Sequence, residues 1–345
     1  MRYLKLLLVT NLITLIALIV IVGNGGSPIG AANSQQEVTR LDGYQIYFTE
    51  EDREASPFDR SDEGLSHLAG LLRSLGADLY AVDWRLGIPE DADLVVMAGP
   101  IRYVGAPEIA RIWHYLNNGG SLLLLVGPLA PTTDTEGNVI IDINRSIAPD
   151  GGFFELAWTD YGVRTSGDVV VKLLSPAELV TDITTTSFGP DHPIVTGLSN
   201  PLTFFVATSI NYDASVQTYR TTPLVYSGAD YYGEASFGAY LVDGTVEFDE
   251  GIDKPGDMLT LAVASENLTT GSRIVIIGDR DFATNGKGLQ TSPVTTAGFL
   301  YPGNVYFLLN TVAWLVRADA SQNMEMIFPT PGPTATSTPV PTPSS

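Results

Sequence analysis

The side chains able to do chemistry in this chain are carboxylates and phenols, and they fall in three places. Gly278-Asp279-Arg280-Asp281-Phe282 follows the apolar run Arg273 to Ile277. In an open α/β sheet, ligands gather outside the carboxyl ends of the strands, so Asp279 and Asp281 are candidates to accept ligand hydroxyls or hold a hard cation. The competing reading is that they cap the next turn and pair with Arg280 or Arg273. Thr49-Glu50-Glu51-Asp52 follows the first apolar run in the same way and offers Glu50, although charge-rich loops are usually only solvated. Between Tyr226 and Tyr240 the residues Tyr231, Tyr232, Phe237 and Tyr240 surround Glu234. Aromatic faces beside a carboxylate suit a sugar or a peptide, and they suit the covering of a sheet equally well. Were two of these carboxylates to share one pocket, roughly 5 to 10 Å apart, they would form an acid/base pair for glycoside hydrolysis.

Other chemistries lack their parts. The chain has no cysteine, which removes disulfides, thiolate metal sites and thiol nucleophiles together. No Gly-x-Ser-x-Gly elbow, P-loop or dinucleotide-binding glycine turn occurs, so no cofactor is expected. Gly286-Lys287-Gly288 has glycine where a P-loop needs Ser or Thr, and reads as a surface loop. His67, His114 and His192 show no helical metal-ligand spacing, and no catalytic or metal-binding set is assigned to them. With 18 Lys and Arg against 39 Asp and Glu, a net charge of -21 repels nucleic acid.

The elements that must position these residues follow from periodicity. Tyr44 to Phe48 reads as a strand, and Leu65, Leu68, Leu71, Leu72 and Leu75 fall on one helical face before Gly76. Leu79 to Val82 and Leu94 to Met97 read as further strands. Pro107 opens a helix bearing Ile109, Ile112, Trp113 and Leu116, which ends at Asn117-Asn118-Gly119-Gly120 before the strand Ser121 to Val126. The continuous apolar character of Leu122 to Val126 suits a parallel strand buried on both faces. From about Ala130 to Asp257 the pattern is less regular and β-rich, with short pieces at Val169 to Leu173, Leu202 to Ala207 and Pro223 to Tyr226. Strands return at Met258 to Ala264 and Arg273 to Ile277, and a helix near Asn304 to Val316 closes the unit.

Both ends differ in character from this core. Arg2 and Lys5 precede residues 6–22, an apolar run broken by Thr10, Asn11 and Thr14. As a helix it spans roughly 25 Å, against a hydrocarbon core of about 30 Å. It reads as a retained signal-anchor or as a signal peptide cleaved near Gly30, Ala31 and Ala32; in either case the folded part is exported. Residues 24–40 are a polar, flexible tether, residues 41–317 the α/β domain, and residues 318–345 a tail dominated by Pro, Thr and Ser.

Several stretches together resemble a known family. They are Leu94-Val-Val-Met-Ala-Gly-Pro100, Tyr115-Leu-Asn-Asn-Gly-Gly-Ser-Leu-Leu-Leu-Leu125, His192-Pro-Ile-Val-Thr-Gly-Leu198, Thr222-Pro-Leu-Val225 and Gly233-Glu234. The most specific is Arg273-Ile-Val-Ile-Ile-Gly-Asp-Arg-Asp-Phe-Ala-Thr-Asn285, followed by Gly303-Asn304, Phe307-Leu-Leu-Asn310 and Trp314-Leu315. This order is similar to the auxiliary domain of gliding-motility-type ABC transporters and the related DUF4350 proteins. The resemblance implies a flavodoxin-like or class I glutamine-amidotransferase-like, mostly parallel sheet with a β-rich middle section, used without the amidotransferase cysteine. It also implies a non-catalytic accessory or ligand-binding protein beside an ABC permease and ATPase on other chains; the aromatic and carboxylate residues add a saccharide or a protein as the expected ligand. An exported glycan hydrolase and a structural surface protein are the alternatives.

Overall fold

The computed structural model describes residues 36–50, 54–99, 104–128, 130–133, 139–142, 152–175, 178–238, 246–256, 259–292, 298–319, 321 and 323–326. The apolar run 6–22, Tyr240 and most of the tail lie outside the described residues. Among the described residues, no helix is long and apolar enough to cross a membrane.

Seven strands make the central sheet: β1 (Gln45–Thr49), β2 (Asp78–Val82), β3 (Leu94–Ala98), β4 (Ser121–Leu125), β5 (Tyr219–Tyr226), β6 (Thr260–Asn267) and β7 (Arg273–Ile277). Their spatial order is β2-β1-β3-β4-β7-β6-β5. The first five are mutually parallel, whereas β6 and β5 add on antiparallel. The parallel part has the strand order of flavodoxin-like doubly wound sheets. The fold is α/β, with smaller antiparallel sheets supplied by the middle of the chain.

Strand alternation divides the core in two. Ile46, Phe48, Leu94, Val96, Leu123, Leu125, Val275 and Ile277 face one side. There they meet Leu68 and Leu72 of α1 (Ser66–Ser74) and, from the closing helix, Val305, Leu308 and Val312. Val95, Met97, Leu122, Leu124, Ile274 and Ile276 face the other. On that side they pack on Ile109, Ile112 and Trp113 of α2 (Ala106–Asn117) and on Phe153, Phe154 and Tyr161 of α3 (Gly152–Tyr161). Because both faces are covered, β3 and β4 are buried at every position, which is why they read as unbroken apolar runs.

Three findings differ from the sequence reading. Helix α3 was not expected, since Gly152–Tyr161 carries apolar residues around much of its circumference and shows little one-face periodicity. Gln36–Thr39, inside the stretch read as tether, pairs antiparallel with Asn323–Met326 in the stretch read as tail. The irregular middle resolves into short strands, among them Val163–Thr165, Asp182–Thr185, Ile210–Tyr212 and Tyr232–Glu234. Each is too short to show a period.

The closing helix α4 (Pro302–Leu315) is fixed by the pair Gly303-Asn304. A Cβ on Gly303 would collide with the Pro201 carbonyl oxygen, so only glycine allows this approach. Asn304, fully buried, pairs with the backbone of Thr203 as a strand would: Oδ1 accepts from Thr203 N at 2.9 Å and Nδ2 donates to Thr203 O at 2.8 Å. Asn304→Ala leaves both buried backbone groups unpaired, and urea unfolding should show a loss of about 2–5 kcal/mol. A loss below about 1 kcal/mol would mean that water replaces the amide and that this contact does not hold α4.

Candidate functional site

The carboxyl ends of β1, β3, β4 and β7 are where an open sheet of this order would take a ligand. What occupies this edge is the protein's own chain. Asp279, 1% exposed, follows β7 and N-caps the 3-10 turn Arg280–Ala283: its Oδ1 accepts from Asp281 N at 2.7 Å. Its Oδ2 accepts from Phe205 N at 2.6 Å, the last residue of the strand Leu202–Phe205. Three residues on, Thr208 N donates to Gly278 O at 2.7 Å. Gly278 is pressed so closely against Thr208 that a Cβ would strike its carbonyl oxygen. Between these two ties Val206 sits at φ 59°, a left-handed conformation that a β-branched residue adopts only when its surroundings impose it.

Asp279 is therefore a buried clamp. Burial pushes its carboxyl well above the ordinary carboxylate range, the neighbouring Asp281 adds to the shift, and the two backbone N–H groups oppose it. Asp281 is half-buried, and burial raises it too, with Arg280 pulling the other way. Arg280 crosses Gly99 at the end of β3 and pairs with Glu63 at 2.9 Å. Of the two readings of this loop, turn capping describes Asp279.

The other named residues do not join this pair. Glu50 accepts a hydrogen bond from the Ser56 hydroxyl, while Glu51 and Asp52 lie outside the described residues. Glu234 is buried in a separate place, accepting from Ser236 N at 2.7 Å and from the Tyr232 hydroxyl at 3.2 Å. Burial raises its carboxyl, Ser236 N–H opposes this, and Asp253 reinforces it. Tyr232 and Phe237 pack with Val169 and Val171 as sheet-covering aromatics. Tyr231 packs against the main core and donates to Asp182 O at 3.3 Å. Among the described residues, no group of three or more His, Asp or Glu is placed to hold a metal ion.

The sequence reading missed a lysine. Lys254 Nζ donates to Asn211 Oδ1 at 2.7 Å, Ser166 Oγ at 2.9 Å and Ser209 Oγ at 3.0 Å. The Ser209 hydroxyl reaches Asp168 Oδ2 at 2.6 Å, and Asp168 Oδ1 accepts from Ser209 N at 2.7 Å. Burial lowers the Lys254 pKa, partly offset by Asp168. Three separate segments, Ser166 to Asp168, Ser209 to Asn211 and Lys254, supply this cluster, so no local spacing announces it. Lys254 lines a cleft of about 560 Å³ with Asn211, Tyr212, Tyr226, Pro255 and Thr260. Thr260 opens β6 and pairs with Tyr226; because β6 runs antiparallel to β7, the cleft lies at the same edge as Asp279.

The sequence matches the family described as an ABC-type uncharacterized transport system over residues 44–311, and the chain belongs to that family. No curated protein matches it. Solved structures similar to the chain include the mmIFT52 N-terminal domain, at 15% identity and a TM-score of 0.48, covering 79% of this chain and 98% of that one. A cytoplasmic protein from Salmonella typhimurium is also 15% identical, with a TM-score of 0.44 and the same two coverages. A ThuA-like protein from Bacteroides uniformis is 10% identical, with a TM-score of 0.36, covering 86% of this chain and 98% of that one.

The raised Asp281 pKa fixes a pH dependence. A carboxyl whose folded pKa exceeds its unfolded value of 3.8 contributes stability below that value and loses it as pH rises through the folded pKa. Asp281→Asn removes this loss. The variant should match the wild type at pH 3.5 and exceed it at pH 7 in urea unfolding, whereas a difference independent of pH would show that Asp281 is not strained by burial.

Proposed function

We propose that this chain is a membrane-tethered, extracytoplasmic, non-catalytic component of an ABC-type transport system, which binds a ligand while permease and ATPase reside on other chains. Its family supports the transport association, and residues 6–22 support the tether. The observation that carries the non-catalytic reading is Asp279. Its two oxygens are committed to the N–H groups of Phe205 and Asp281, so it is not a general acid or base facing a substrate. An exported glycan hydrolase needs two carboxylates in one open pocket. Glu234 is engaged by Tyr232 and Ser236, and Glu50 by Ser56.

The described ends of the folded unit lie together. Gln36–Thr39 and Asn323–Met326 form one ribbon, so the chain enters and leaves side by side. Glu37, Thr39 and Asn323 share a cleft with Arg273, the first residue of β7, and with Arg317, which bonds Ser121 at the start of β4. The ribbon is thus at the amino edge of the sheet, opposite the Lys254 cleft.

In cells that make the protein, the full chain should stay in the membrane pellet after alkaline carbonate washing and be digested by protease added to spheroplasts. Deletion of residues 1–35 should release it. Mild crosslinking of the full chain should enrich a permease and an ATPase of one ABC system. A full chain that is soluble, or protected from external protease, would contradict the proposed tether and compartment.

A further inference from the structure

We infer that the cleft at Lys254 is the ligand site of this domain and that it takes an acidic saccharide, a sugar unit bearing a carboxylate. The inference rests on the ligand-binding half of the reading above.

The first argument is the placement of charge. The Lys254 ammonium donates to three neutral oxygens, those of Asn211, Ser166 and Ser209. Its nearest carboxylate, Asp168, stands behind the Ser209 hydroxyl and makes no ion pair with it. A partly buried ammonium without a direct counterion costs free energy that a compensating anion returns. An incoming carboxylate replaces one of the three neutral acceptors and forms the stronger, charge-assisted bond.

Next comes the shape and chemistry of the lining. The volume, about 560 Å³, is in the range of small-molecule sites. Tyr212 and Tyr226 supply flat faces to the cleft. Tyr212 is 37% exposed, large for an aromatic ring and open to stacking on a sugar face. Asn211, whose Oδ1 accepts from Lys254, and Thr260 add an amide and a hydroxyl residue to the lining. Amide and hydroxyl groups at fixed positions beside aromatic faces match the alternating hydroxyls and apolar faces of a pyranose. Wholly apolar ligands would leave these polar groups unpaired.

A third argument is mechanical stability. Ser166, Ser209 and Asn211 stand on or next to the paired segments Val163–Thr165 and Ile210–Tyr212, and Gly233 pairs with Lys254 through the backbone. The ammonium is held before ligand arrives, which lowers the ordering cost of binding.

The test is calorimetric titration of the full-length chain in detergent with tri-galacturonate, its methyl ester, neutral galactotriose and tri-glutamate. Tri-galacturonate should bind, the ester and the neutral trisaccharide at least about tenfold more weakly. Lys254→Met should abolish this preference for the acid. Should that variant not fold, Tyr212→Ala, at an exposed position, keeps the test intact and should weaken tri-galacturonate by about tenfold. Equal binding of tri-glutamate, equal binding of the ester, or no binding of tri-galacturonate would each overturn the assignment. Because binding is read on purified protein and tethering by cell fractionation, failure of one leaves the other standing.

Discussion

The Asp279 carboxylate is the interaction on which the carboxyl edge of this domain depends. One oxygen caps the turn after β7 and the other holds Phe205, so one buried side chain ties the parallel sheet to the β-rich middle section. A carboxylate in that position carries a desolvation cost, and two backbone N–H donors offset it. The same clamp holds Val206 in a left-handed conformation that it would not adopt alone. Removing the clamp exposes two buried donors and frees the strained residue together.

Asp279 has counterparts along the same closing stretch. Asn285 donates to Ser61 O at 2.7 Å and accepts from His67 N at 2.9 Å, which ties the loop before α1 to the turn after β7. Asn304 holds Thr203, and Asn310 donates to Ile194 O at 3.1 Å. These four residues belong to the stretch that carries the family resemblance, and each bonds backbone far away in sequence. Their chemistry is architectural. The part of the edge that these clamps do not close is the cleft beside β6 where Lys254 stands, the site proposed above for a ligand.

The sequence made the parallel sheet legible because burial on both faces leaves unbroken apolar runs such as Leu94–Ala98 and Ser121–Leu125. Helices α1 and α2 were legible because each buries one stripe. The middle section was not, since strands of three or four residues show no period and helix α3 is apolar around much of its surface. At the edge, the position of Asp279 after β7 was readable, but its buried clamping role depends on Phe205, which is distant in the chain. Lys254 could not be found from spacing, because Ser166, Ser209 and Asn211 reach it only through the pairing of two short strands. His192 shows the same limit: it is half-buried with its ring against Trp314, and burial together with the Arg273 charge lowers its pKa to about 4, which nothing in His192-Pro193 announces.

Amide hydrogen exchange at Phe205 and Asp281 tests the central claim, that Asp279 closes the carboxyl edge as a structural clamp, most directly. If it does, both amides exchange only through global unfolding, with protection equal to that of the β7 core amides and lost in Asp279→Ala. Fast exchange at both positions in the wild type, with the β7 amides still protected, would contradict the account and return Asp279 to the set of residues free to meet a ligand.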